Sequence, residues 1–114
     1  MPLLKMTLSV LLSDTSRAGL LAEASKLVSE VLGKPERYVM VTIEQAPVLF
    51  GGDDSPAAFI ELRSLGGLGP DTNQTLSARL CELVESSAKI PKDRTFLNFV
   101  DMDRSNWGHN GTTF

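Results

Sequence analysis

Residue types from which disulfides and metal sites are built are nearly absent: the 114 residues hold one cysteine and one histidine. A lone Cys81 cannot close an internal disulfide, and no pair has zinc-ligand spacing, so the chain is compatible with a reducing cytosol and no metal site is expected. Basic residues are also short, with 11 Lys and Arg against 14 Asp and Glu, a net charge of -3. Those cations are scattered, and phosphate binding calls for clustered ones, so no nucleic-acid partner is expected. No apolar stretch approaches membrane-spanning length, and the first residues lack the charged, apolar and small-residue order of a secretory signal. Neither a membrane partner nor signal-directed export is expected.

What is present is an apolar fraction of 42% with 22% charged residues, which predicts a single globular domain over residues 1–114. Leu4, Met6, Leu8 and Val10 alternate with Lys5, Thr7 and Ser9, the period of a strand with one apolar face. After "SDTSR", whose Ser, Asp and Thr can cap a helix, Leu20, Leu21, Ala24, Leu27, Val28, Val31 and Leu32 recur at helical spacing as far as Gly33. "RYVMVTIEQ" alternates again, with Val39, Val41 and Ile43 on one side and Tyr38, Met40 and Thr42 on the other. Past the "FGGDDSP" loop, Ala58, Ile60 and Leu62 predict a third strand. A second helix carries Leu76, Leu80, Leu83, Val84 and Ala88 on one side, and "TFLNFVDM" is a fourth strand.

The order is strand, helix, strand, twice over, and "KPERYVMV" in one half answers "PKDRTFLNF" in the other. Right-handed crossovers put both helices on one face of a four-stranded mixed sheet, an α+β fold. The other face would carry Lys5, Thr7, Tyr38, Met40, Phe59, Arg63, Phe96, Asn98 and Val100. That set is too apolar to leave fully wet, so it is expected to pack against further copies of the chain.

Met-Pro at the start, "GKPERYVMV", "FGG", "SLGGLG" and the tail "NFVDMDRSNWGHNGTTF" together resemble the macrophage migration inhibitory factor family of the tautomerase superfamily, over the whole chain. The resemblance implies a barrel-like homotrimer and cofactor-free keto–enol tautomerisation of small 2-oxo acid or enol substrates of the phenylpyruvate or dopachrome type. It assigns Pro2, after removal of Met1, as the catalytic base in a pocket between subunits. Lys34 matches the pocket lysine that holds the substrate carboxylate; on its own it reads as a cation at a helix end. Ser64 and Leu65 match the segment whose backbone N–H meets the substrate, and otherwise read as part of a glycine loop. Asn98 matches a polar residue supplied by the neighbouring subunit, and alone is a sheet-face asparagine. The resemblance also admits a cytokine-like role with a receptor protein as partner, and a place in the cytoplasm or outside the cell without a signal peptide.

Departures from the family pattern qualify these expectations. Phe96 stands where many relatives have a tyrosine, which keeps an aromatic wall and deletes a hydroxyl. The cysteine pair of thiol-oxidoreductase proposals falls on Ala57 and Ile60, so that chemistry is not expected. Cys81 reads as a buried helix residue. His109 replaces an aromatic and is either a titrating group at the pocket rim or a plain loop residue. Trp107 is expected as a pocket wall or subunit contact, and Phe114 as packing back on the pocket.

Overall fold

Alternation of apolar and polar residues is realised as strand at both chain halves, and the computed structural model, which describes residues 1–114, shows where each run begins and stops. Strand β1 spans Pro2–Leu8, helix α1 Asp14–Leu32, strand β2 Met40–Gln45, strand β3 Ala58–Ser64, helix α2 Pro70–Ala88 and strand β4 Thr95–Asp101. A short hairpin follows, β5 at Gly108–His109 and β6 at Thr112–Thr113. Ser13 caps α1, its Oγ accepting from the Ser16 N–H at 3.1 Å, which satisfies one of the free donors of the first turn. No helix is long and apolar enough to cross a membrane.

The main sheet has the order β2-β1-β3-β4. Within each half the strands are parallel, β1 with β2 and β3 with β4, and the halves join through antiparallel β1 and β3. Leu4, Met6 and Leu8 face the helices together with Ile60 and Leu62, and these five are at most 1% exposed. Leu20, Ala24 and Val28 of α1 and Leu76, Leu80 and Val84 of α2 close the same cluster. Both helices therefore lie on one face of the sheet, as the repeat predicts. Cys81 is buried on α2.

Strand β2 starts later than the alternation suggests. Pro35 lacks an N–H and holds φ at -59°, and the Tyr38 N–H then reaches the Pro35 carbonyl at 3.0 Å and the Val39 N–H the Glu36 carbonyl at 2.9 Å. Those bonds form a 3-10 turn over Glu36–Tyr38, so Arg37 and Tyr38 leave the sheet. The matching turn in the second half, Lys92–Arg94 after Pro91, precedes β4 in the same way.

The face away from the helices retains apolar exposure, with Met40 at 62%, Phe96 at 64% and Phe59 at 40%. Phe50 covers part of Phe96, ring centroids 4.5 Å apart.

Ile60 lies fully buried in β3 between the two neighbouring strands. Truncating it to alanine is expected to cost about 2–5 kcal/mol. Urea unfolding should show this as a lower midpoint with an unchanged slope.

Candidate active site

The left-handed conformation of Gly33, φ 65°, ends α1 and turns the chain toward the sheet. The Gly33 N–H then reaches the Glu30 carbonyl at 3.3 Å and the Lys34 N–H the Ser29 carbonyl at 3.1 Å. Ser29 Oγ donates back to the Lys34 carbonyl at 2.5 Å, so the Lys34 backbone is fixed from both sides. Its side chain is fixed too, because Nζ donates to the Leu65 carbonyl at 2.6 Å.

The loop that receives this lysine is folded by its own polar groups. Ser64 is fully buried, and its Oγ donates to the Gly66 carbonyl at 2.7 Å. The Gly66 N–H donates to Asp101 Oδ1 at 3.2 Å, and the Met102 N–H to the Ser64 carbonyl at 2.9 Å. Gly67 takes φ 82°, and a Cβ there would sit 3.5 Å from the Lys34 Cε. Any L side chain would be strained in that conformation.

Pro2 enters from the other side. Its ring is fully buried, and register places it opposite Ser64 in β3. Met1 therefore projects beyond the start of the interior strand β1, next to Lys34. Its terminal amine is held below the ordinary α-amino range, first by partial loss of water and then by the Lys34 charge and hydrogen bond. Both causes disfavour the protonated form.

Two cavities meet at this terminus. The first, about 640 Å³, includes Pro2, Arg37, Met40, Arg63 and Trp107 in its lining. The second, about 610 Å³, includes Lys34, Leu65, Arg104 and Phe114. Met1, Tyr38, Met102 and His109 line both. Of the residues singled out from sequence, Pro2, Lys34, Leu65 and Trp107 thus gather around one point. Ser64 supports the loop and lines neither cavity.

Phe96 and Asn98 are not brought there within one protomer. Phe96 pairs with Phe59 and so shares a row with Thr7, whereas Pro2 shares one with Ser64 and Asp101. Five residues of strand separate those rows, roughly 16 Å. Asn98 lies in the row of Lys5 and Glu61 and is absent from both linings.

Sequence reading did not anticipate Arg37, Tyr38, Met102 and Asn106 as cavity residues. Arg37 and Tyr38 reach it because of the 3-10 turn, for which Pro35 was the available signal. The tail folds over the site through the β5–β6 hairpin, whose turn residues Asn110 and Gly111 both have positive φ, 53° and 80°. Asn-Gly between short extended runs is a strong hairpin signal, and it is one that the sequence reading passed over. The hairpin brings His109 and Phe114 together, ring centroids 6.1 Å apart.

The family described as "Macrophage migration inhibitory factor (MIF)" matches residues 1–114. The chain belongs to the macrophage migration inhibitory factor family. A family homolog from Trichuris trichiura is 44% identical over 103 residues, covering 90% of each chain, and one from Trichinella spiralis is 37% identical over the full length of both. Among solved structures, the family protein of Entamoeba histolytica superposes with a TM-score of 0.95 at 34% identity, covering 99% of this chain and 98% of that one. The α+β fold with two helices on a four-stranded sheet is thus that of the migration inhibitory factor family, in the tautomerase superfamily.

Removing the Lys34 charge should let the terminal amine regain part of its basicity. In Lys34→Met the amine pKa is expected to move up toward the ordinary range of roughly 7.7–8.0, stopping short because desolvation persists. Reductive methylation with labelled formaldehyde, followed by NMR across pH, measures that shift.

Proposed function

We propose that the chain is a cofactor-free keto–enol tautomerase of phenylpyruvate-type 2-oxo acids, in which Pro2 becomes the catalytic base once Met1 is removed. The observation that carries this reading is the environment of the chain terminus, where partial loss of water and the Lys34 charge depress the basicity of the Met1 amine. Cleavage of the Met1–Pro2 bond would turn the Pro2 nitrogen from a tertiary amide into a secondary amine in the same surroundings. In its neutral form it takes a proton from the carbon next to the substrate carbonyl. The C–H bond breaks and an N–H bond forms, the released pair becomes the C=C bond, the carbonyl π pair moves onto oxygen, and a proton from water on that oxygen completes the enol. Return of the proton reverses the step.

Lys34 has further N–H donors beyond the one given to Leu65, and these suit a substrate carboxylate. Trp107 forms an apolar wall beside Pro2. Phe96 and Asn98 would contribute from a neighbouring copy in a homotrimer, a role supported by the exposure of Phe96 and its distance from Pro2 in its own protomer. Leu65 would present backbone groups at the carbonyl side, and Ser64 holds the loop that carries it.

A second reading has a specific basis: the relatives are named for inhibition of macrophage migration, and a receptor protein could be the selected partner of exposed loops. Pro2→Gly separates the two, since turnover depends on the terminal amine and loop recognition does not.

Protein with Met1 removed, verified by mass spectrometry, is expected to tautomerise phenylpyruvate, and Pro2→Gly or retained Met1 should lower the rate about 10²–10⁴-fold. If the processed protein and Pro2→Gly turn over equally, the proline reading fails. In the active form, kcat/KM rises with pH as the amine loses its proton. The loss of water and the Lys34 charge that lower the basicity of the Met1 amine would act on the Pro2 amine in the same direction, so that rising limb should lie at lower pH than in Lys34→Met.

A further inference from the structure

The charges around the first cavity are one-sided. The whole chain is acidic, with a net charge of -3, yet this cavity is lined by Arg37 and Arg63 and by no carboxylate. The second cavity differs, since Asp101 and Asp103 line it together with Lys34 and Arg104. Cation density in the first is therefore not offset by its own walls.

Arg37 is the freer of the two guanidinium groups. The ion pairs of the molecule are Arg17–Asp14, Arg63–Glu61 and Arg79–Glu30, and Arg37 is in none of them. Its only contact of note is a stack over the Tyr38 ring, 4.7 Å to the centroid. That stack holds the guanidinium plane while leaving its N–H groups without a protein acceptor. Arg63 gives Nε to Glu61 Oε1 at 2.6 Å, which leaves its two terminal nitrogens for another acceptor. Arg63 also sits opposite Leu3, one row from Pro2.

Position relative to the terminus completes the argument. Lys34 lines only the second cavity, Arg37, Arg63 and Pro2 only the first, and Tyr38, Met102 and His109 line both. A ligand lying across the terminus therefore meets an anion-binding group on each side of it.

We propose that the first cavity recognises a second carboxylate, so that this chain prefers 2-oxo dicarboxylic acids over 2-oxo acids with an uncharged tail, with Arg37 as the principal specificity residue and Arg63 as its partner. This inference rests on the Pro2-centred site proposed above. A planar carboxylate matches the forked donors of a guanidinium, and the apolar walls of Met40 and Trp107 strengthen the pairing by excluding water.

The test uses two ligands of equal chain length, 2-oxoglutarate and 2-oxopentanoate, which differ by the terminal carboxylate. Calorimetric titration of the processed protein is expected to show about tenfold tighter binding of 2-oxoglutarate, the gain of a charge-assisted hydrogen bond. Arg37→Gln should collapse most of that ratio, Arg63→Gln part of it, and Arg37→Lys should restore only a portion because the fork is lost. Thermal melting of each variant confirms that it is folded; Arg37 is exposed on a turn, so the fold should not depend on it. No preference in the parent protein, or a preference that survives Arg37→Gln combined with Arg63→Gln, overturns the inference. The binding ratio is read without turnover, so it decides this point even if Pro2→Gly shows the catalytic reading to be wrong.

Discussion

Antiparallel pairing of β1 with β3 is the contact on which the rest of the molecule depends. Each β-α-β half can pair its own two strands, but only this ladder joins the halves into one sheet with one core. Leu4 opposite Leu62, Met6 opposite Ile60 and Leu8 opposite Ala58 are the rows that face the helices. A slip of one residue would turn all of these side chains to the other face. The same register sets Pro2 against Ser64, at the point where β3 turns into the glycine loop. Position of the chain terminus is thus a consequence of core packing.

Lys34 arrives at that point from a different part of the chain by a separate chain of causes. Gly33 permits the left-handed turn, Ser29 ties the next residue to the helix end, and Leu65 accepts the ammonium. The terminal amine there loses basicity, first through partial loss of water and then through the lysine's charge and hydrogen bond. A less basic amine is neutral at a lower pH.

Periodicity made the sheet and helices legible because burial acts on every second or every third to fourth residue. The apolar sides of β1 and β3 and of both helices follow from it almost position by position, and the unpaired sheet face follows from the repeat. The 3-10 turn at Glu36–Tyr38 did not follow, because alternation continues through Arg37, Tyr38 and Val39 while the hydrogen bonds do not. That is why Arg37 and Tyr38 read as strand residues and not as cavity walls. Pro2, Lys34 and Leu65 were assigned through family resemblance; composition alone offered only a frayed terminus, a helix-end cation and a loop. Arg63 was read as a sheet-face residue, and its place beside Arg37 in the lining of one cavity is a three-dimensional property that no local pattern carries.

One exposed feature shows how far the fold goes to hold a residue that its own protomer does not bury. Arg94 forms no ion pair; its guanidinium donates to the carbonyls of Phe50, Asp53, Ser55 and Pro56 at 2.8–3.3 Å. It also lies over the Phe50 ring, 5.0 Å to the centroid. Phe50 in turn packs on Phe96. A fork of donors closing on a loop of carbonyls is a task for which arginine is suited and lysine is not. The result is an aromatic pair fixed in place while Phe96 remains 64% exposed. Ordering an exposed ring costs side-chain entropy that solvent does not return. Such ordering is favourable when a further surface covers the ring, and Met40 and Phe59 on the same sheet face are also exposed.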